Sequence, residues 1–130
     1  MGEIKFLTLE DVQFFHKQVL DQFGGQDGLR DLGLLESALA QPKQMFGGQY
    51  LHEDLASMAA AYLYHITSNH PFFDGNKRAG FFSAFAFLEL NSVSLAIPSR
   101  ETELLVVGVA SSKVSKEQVA EFIRGLPADK

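Results

Sequence analysis

The residues best suited to chemistry lie in one stretch, His70 to Arg78, which reads HPFFDGNKR. It gathers an imidazole, a carboxylate, a carboxamide, a glycine and two adjacent cations. If a helix opens at Asn76, the backbone N–H groups of Lys77, Arg78 and Ala79 are donors of a first turn with no intrahelical partner. Together with the helix dipole they make an anion site. Gly75 lets a ligand approach the backbone closely. Lys77 and Arg78 put charge where a polyphosphate would lie, and an arginine can fork onto phosphate oxygens. A cation at a helix N-terminus opposes the dipole. Two in succession therefore point to an external anion that offsets the conflict.

The remaining residues each admit two roles. Asp74 suits magnesium, which prefers oxygen ligands and bridges to substrate phosphates; it could equally be a turn aspartate paired with Arg78. Asn76 could cap the helix, donate to a phosphate, or both. His70 closes the preceding helix, where it could serve as a C-terminal cap or, with its near-neutral pKa, as a general base. Pro71 turns the residue before it out of helix and so sets the direction of His70. Phe72 reads as the anchor that pins the loop, and Phe73 as a second anchor or a pocket wall.

Competing constellations are weak. His65 and His70 are separated by about 140° around a helix, so they form no same-face metal pair. There is no HExxH, no zinc-type cluster, no GxxxxGK[ST] and no GxSxG. Ser83 reads as hydrogen-bonded back to its own helix. His16 and His52 read as surface residues.

Two apolar helices must hold this loop. Leu55 to Ile66 precedes it, within a helix expected over about 53–69. Ala79 to Leu90 follows, within a helix expected from Asn76 or Lys77 to Leu90 and apolar on nearly every side, as a central helix should be. Residues 4 to 7 suggest a short extended segment. Thr8 and Asp11 form a capping-box pair for a helix over about 9–23 with Val12, Phe15, Val19 and Phe23 on one face, closed by Gly24-Gly25. A short helix around Leu34 to Leu39 stops near Pro42. Residues 41 to 52 read as a loop whose Met45, Phe46 and Tyr50 either tuck against the core or form a mobile flap. Ser99 is expected to cap a fifth helix over about 100–111 that buries Leu104, Leu105, Val107 and Val109. Ser115 and Gln118 box the start of a sixth, with Val119, Phe122 and Ile123 inward and Gly125 at its end. The tail is expected to fray. The result is an all-α single domain of about six helices, spanning 1–130 with its core over about 4–124, and the motif loop between two central helices.

Composition narrows the function. The chain has 130 residues and a net charge of −5, with 11 basic against 16 acidic side chains, which disfavours a general nucleic-acid binder. It has no cysteine, hence no thiol nucleophile and no thiolate metal site. No apolar run approaches a membrane span. The start MGEIKFLTLED lacks a secretion-signal pattern, and Lys5 and Phe6 fit a myristoylation consensus at Gly2 poorly. A cytoplasmic protein with no membrane partner is expected. Six of the twelve phenylalanines lie between Phe72 and Phe87, so the core should be densest beside the motif.

The pattern HxFxDxNKR resembles the signature of the Fic/Doc (Fido) family. It resembles the death-on-curing (Doc) branch in particular, with Lys77 in place of a glycine and Phe81 in place of a second arginine. Gly28 to Asp31 and Gly33 to Leu39 resemble the same branch, as does Tyr62 to Leu90, and the likeness covers roughly residues 4 to 124. The resemblance implies a magnesium-dependent Ser/Thr protein kinase acting as a toxin. Such a toxin transfers the terminal phosphoryl group of ATP to a hydroxyl of a protein such as elongation factor Tu, which blocks translation. A cognate antitoxin neutralises it. Carried onto this chain, His70 is the general base and Asp74 holds Mg2+. Asn76, Lys77 and Arg78 bind and orient phosphates, and Phe72 and Gly75 complete the nucleotide-binding set. Residues near Tyr50 belong to the flap that meets the target. Most Fic proteins instead transfer AMP from ATP; loss of the second arginine at Phe81 favours the kinase. AMP transfer and a non-catalytic helical binding module stay as alternatives, and homodimer formation stays open.

Overall fold

A computed structural model describes residues 3–129. Gly2, the acylation site weighed above, and Lys130 lie outside the described residues. Six helices follow one another: α1 (Leu9–Phe23), α2 (Leu32–Ala40), α3 (Leu55–Asn69), α4 (Asn76–Leu90), α5 (Ser99–Ala110) and α6 (Lys116–Arg124). The all-α expectation holds. The one addition is a small hairpin, β1 (Met45–Phe46) with β2 (Gln49–Tyr50), turned through Gly47-Gly48.

Capping chemistry sets most boundaries. Thr8 and Asp11 box the start of α1, and Ser115 and Gln118 box that of α6. Asp31 accepts from the Leu34 N–H and starts α2 at Leu32, two residues before the apolar pattern begins. Asp54 does the same for α3 through the Ser57 N–H. Helix α5 departs from expectation: Pro98 precedes it, and Ser99 is its first helical residue rather than its cap. It turns Thr102, Val106 and Val109 inward and leaves Leu104 and Val107 exposed. Thr102 fits the core because its hydroxyl donates to the Pro98 carbonyl at 2.6 Å.

The core centres on α3, which packs on α4, α6, α2 and α5. Ala59, Ala60 and Ala61 are fully buried, and their small side chains let neighbouring helices approach. Helix α4 approaches α3 closely at Gly80. A Cβ there would lie 2.7 Å from the Thr67 hydroxyl and 3.0 Å from the Leu63 carbonyl. Phe87, Tyr62 and Phe6 form an aromatic seam between α4, α3 and the N-terminal segment. The Leu7 N–H donates to the Tyr62 hydroxyl at 2.9 Å, and burial pushes that phenol up to about 12.

Three expectations need correction here. Met45 and Phe46 are exposed on the hairpin rather than tucked, and only Tyr50 turns inward, against Phe6. Ser83 is buried with no hydrogen-bond partner, not bonded back to its helix. The tail does not fray over Ala128 and Asp129: Ala128 bridges Leu95, and the Asp129 N–H donates to the Ser94 carbonyl. Of the motif-side phenylalanines, Phe72, Phe85 and Phe87 are buried, while Phe73 and Phe82 are exposed.

Candidate active site

The motif loop is held from three sides. On the first, residues 28–31 run antiparallel to it. The Arg30 and Asp31 N–H groups donate to the Pro71 carbonyl, and the Phe73 N–H donates to the Gly28 carbonyl. Glycine is needed at 28, where φ is +123° and a Cβ would come within 3.0 Å of the Phe73 ring.

Asn76 closes the loop from inside. Its Oδ1 accepts the Phe72 N–H at 2.9 Å and its Nδ2 donates to the Phe72 carbonyl at 2.9 Å. The carboxamide is thus spent on loop shape. It does not cap α4, which has no side-chain cap at all. What Asn76 retains for a ligand is its backbone N–H. Ala79, expected among the free donors, gives its N–H to the Gly75 carbonyl, so the open first turn of α4 consists of Asn76, Lys77 and Arg78. Gly75 precedes it in the left-handed region, at φ 79°.

The third side is α1, and its contribution was misread from sequence. His16 is buried, not superficial. Its ring stacks on Phe72 at 3.7 Å between centroids and 7° between planes, and its Nε2 lies 2.7 Å from the Asp74 carbonyl. An exposed-helix pattern hides such a residue, because the partner is a backbone atom 58 positions away. Phe72 is therefore a buried anchor, 2% exposed, with one face covered by His16.

The charged groups turn outward. One oxygen of Asp74, Oδ2, accepts the Gln26 N–H at 2.8 Å; the other has no partner among the described residues. Asp74 does not pair with Arg78. The guanidinium of Arg78 instead lies over the Phe23 ring, 4.1 Å from its centroid, a cation–π contact. The ion pairs found among the described residues belong to Arg124, with Asp54 and Glu121. Lys77 is exposed. Asp74 to Arg78 line a cleft of about 850 Å³, bounded by Phe23 of α1, Phe81 and Phe82 of α4, and Thr102, Val106 and Val107 of α5. Phe81 and Phe82 make their side of the cleft apolar.

His70 joins the site from the end of α3, in a left-handed conformation (φ 49°, ψ 54°). Its Nδ1 is 3.4 Å from Asn76 Nδ2, a weak contact at that length. Because Phe72 fixes the orientation of the Asn76 carboxamide, Nδ2 can only donate. His70 accepts there with Nδ1 and, when neutral, carries its proton on Nε2. The ring's one free lone pair is then on Nδ1, so to take a proton from a hydroxyl it must release this weak contact. His70 is exposed and is not a wall of the cleft. The other histidines lie elsewhere: His65 meets Lys116 Nζ at 3.4 Å, and burial lowers it to about 4, while burial also lowers His52.

No group of three or more His, Asp or Glu side chains capable of holding a metal occurs among the described residues. A single carboxylate with an unengaged oxygen fits magnesium, which takes one or two protein carboxylates and completes its shell with phosphates and water. It does not fit a metal that needs an all-protein cage.

Comparison with known proteins identifies the family. The model of the Fic/DOC family matches residues 6–88, from the N-terminal segment through most of α4. The chain is also 35% identical over 108 residues to Toxin Doc of Mycolicibacterium smegmatis, covering 82% of this chain and 83% of that protein. No helix among the described residues is long and apolar enough to cross a membrane. The matched segment contains every residue that shapes the loop, from His16 to Arg78, and the chain belongs to the Fic/DOC family.

Proposed function

We propose that this chain is a Doc-type toxin that transfers the terminal phosphoryl group of ATP to a threonine or serine hydroxyl of a protein, with elongation factor Tu as the candidate target. A cognate antitoxin would hold it in check, as the likeness to the Doc branch implies; the relative it matches is named a toxin. The observation that carries this reading is the uncapped opening of α4. Asn76, Lys77 and Arg78, whose first-turn N–H groups are open, line one cleft together with left-handed Gly75 and with Asp74, one of whose oxygens is unengaged.

Phosphoryl transfer asks a protein mainly for positioning and for neutralisation of the transferring oxygens. The N–H groups of Asn76, Lys77 and Arg78 would hold those oxygens, aided by the two cations. Asp74 would hold the magnesium ion, which neutralises phosphate charge. His70 would accept the proton of the incoming hydroxyl as the new O–P bond forms and ADP leaves. The apolar Phe81 wall supports kinase over AMP transfer, because the second phosphate-binding cation of the AMP-transferring branch is missing.

ATP labelled at either the terminal or the first phosphate, incubated with magnesium and candidate targets, tests the proposal. Label from the terminal phosphate, mapped to a threonine or serine, is the expected result. Label from the first phosphate would establish AMP transfer instead. A His70→Ala variant that keeps its cellular effect would establish a non-catalytic binding module.

A further inference from the structure

The imidazole of His16 has no part in the chemistry just described, yet it touches the backbone of the metal-holding residue. It is 3% exposed. It is packed face to face on Phe72, and Gly75 lies against its edge, where a Cβ at 75 would be 3.5 Å from His16 Cδ2. Nε2 lies 2.7 Å from the Asp74 carbonyl oxygen. A carbonyl only accepts, so Nε2 carries the hydrogen and donates.

This bond fixes a direction. The peptide joining Asp74 to Gly75 is trans, and in a trans peptide the C=O and the following N–H point opposite ways. With the Asp74 carbonyl drawn toward the buried face of α1, the Gly75 N–H must point away from it, out of the core. That N–H immediately precedes the free N–H groups of Asn76, Lys77 and Arg78. Gly75 has φ of 79° and no side chain to resist rotation, so the His16 bond is what holds this peptide's direction.

We infer that His16 is a positioning residue: by holding the Asp74 carbonyl inward it turns the Gly75 N–H outward and adds a fourth backbone donor to the anion cradle. This rests on the cradle reading above.

The test uses the full chain. The His16 ring tautomer and the Gly75 amide are read first, by nitrogen-15 NMR of the unliganded protein. Affinity for magnesium-ATP is then compared among wild type, His16→Phe and His16→Gln. Phenylalanine keeps the stacked ring without a donor; glutamine keeps a donor at similar reach without the ring. The expected tautomer is Nε2–H. His16→Phe should weaken binding by about tenfold or more, the scale of a hydrogen bond to a charged group, and should lose the Gly75 amide shift on titration. His16→Gln should restore most of both despite a lower melting temperature. A merely structural histidine predicts the reverse order, with affinity following melting temperature. That order, an Nδ1–H tautomer, or wild-type affinity in His16→Phe overturns the inference. If the wild type with its Nε2–H bond intact binds no ATP, the cradle reading falls and this inference falls with it.

Discussion

Arg30 clamps the end of α3 at His70. Its Nε donates to the His70 carbonyl at 2.7 Å and its Nη2 to the Asn69 carbonyl at 3.1 Å. The last carbonyls of a helix have no intrahelical partners, and a forked guanidinium satisfies two of them in a fixed plane. Arg30→Ala is expected to cost about 1 kcal/mol of stability and, because small misplacements of a reacting group are costly, on the order of tenfold or more in turnover. Denaturant melts and steady-state rates check both. Arg30→Lys should not rescue, since an ammonium cannot fork.

His70 sits in the left-handed region, where asparagine is tolerated better than most residues. His70→Asn should therefore fold as well as the wild type while losing about 10²–10⁴-fold in the chemical step, the usual contribution of a general base. Matched melting curves with a lost single-turnover rate are the expected outcome. A retained rate would remove His70 from the reaction.

Lys77 is exposed. Lys77→Ala should leave the melting temperature unchanged and cost the chemical step about 2–4 kcal/mol, the scale of other lost transition-state donors. Single-turnover kinetics measure this, and unchanged turnover would contradict the assignment.

At Gly80 the helices α3 and α4 touch through backbone, and an added Cβ would meet the buried Thr67 hydroxyl at 2.7 Å. Gly80→Ala should destabilise the protein by about 1–3 kcal/mol through overpacking, against the gain alanine normally brings to a helix interior. Urea denaturation gives the sign directly.

Asp54 accepts from Arg124 and caps α3, and the guanidinium holds its carboxyl down at about 2. A depressed folded pKa means stability that is present above the unfolded value and lost as pH falls through the folded one. The pair is about half exposed, so solvent screening leaves it only a small contribution. Asp54→Asn keeps the cap and removes the charge. It should melt slightly below wild type at neutral pH, with the difference vanishing between about pH 4 and pH 2.

The helices were legible because their signals are local. Thr8 with Asp11 and Ser115 with Gln118 are capping pairs read directly from spacing, and both form as expected. The apolar stripes of α3 and α4 announced the central pair. The starts of α2 and α3 were less legible, because Asp31 and Asp54 cap from outside the apolar pattern. In α5 the pattern has apolar residues on two faces, and only the neighbouring helices decide that Val106 is buried and Leu104 is not.

The candidate site was legible in its charged residues and illegible in its supports. Asp74, Lys77 and Arg78 lie within five residues of one another in the chain, so their nearness needs no tertiary fold. His16, Arg30 and Gln26 reach the loop and its start from 39 to 58 residues away through backbone atoms, and backbone partners leave no trace in side-chain spacing. Asn76 illustrates the same limit. Its type suited a helix cap, but the nearby Phe72 peptide offered both a donor and an acceptor, and the carboxamide took those instead.

The central claim is that the opening of α4 binds phosphate, and a structure of the full chain with magnesium and a non-hydrolysable ATP analogue tests it most directly. The account predicts a phosphate group within about 2.7–3.2 Å of the backbone nitrogens of Asn76, Lys77 and Arg78, with the metal on Asp74. Phosphates bound elsewhere in the cleft, or a metal on a different carboxylate, would contradict it.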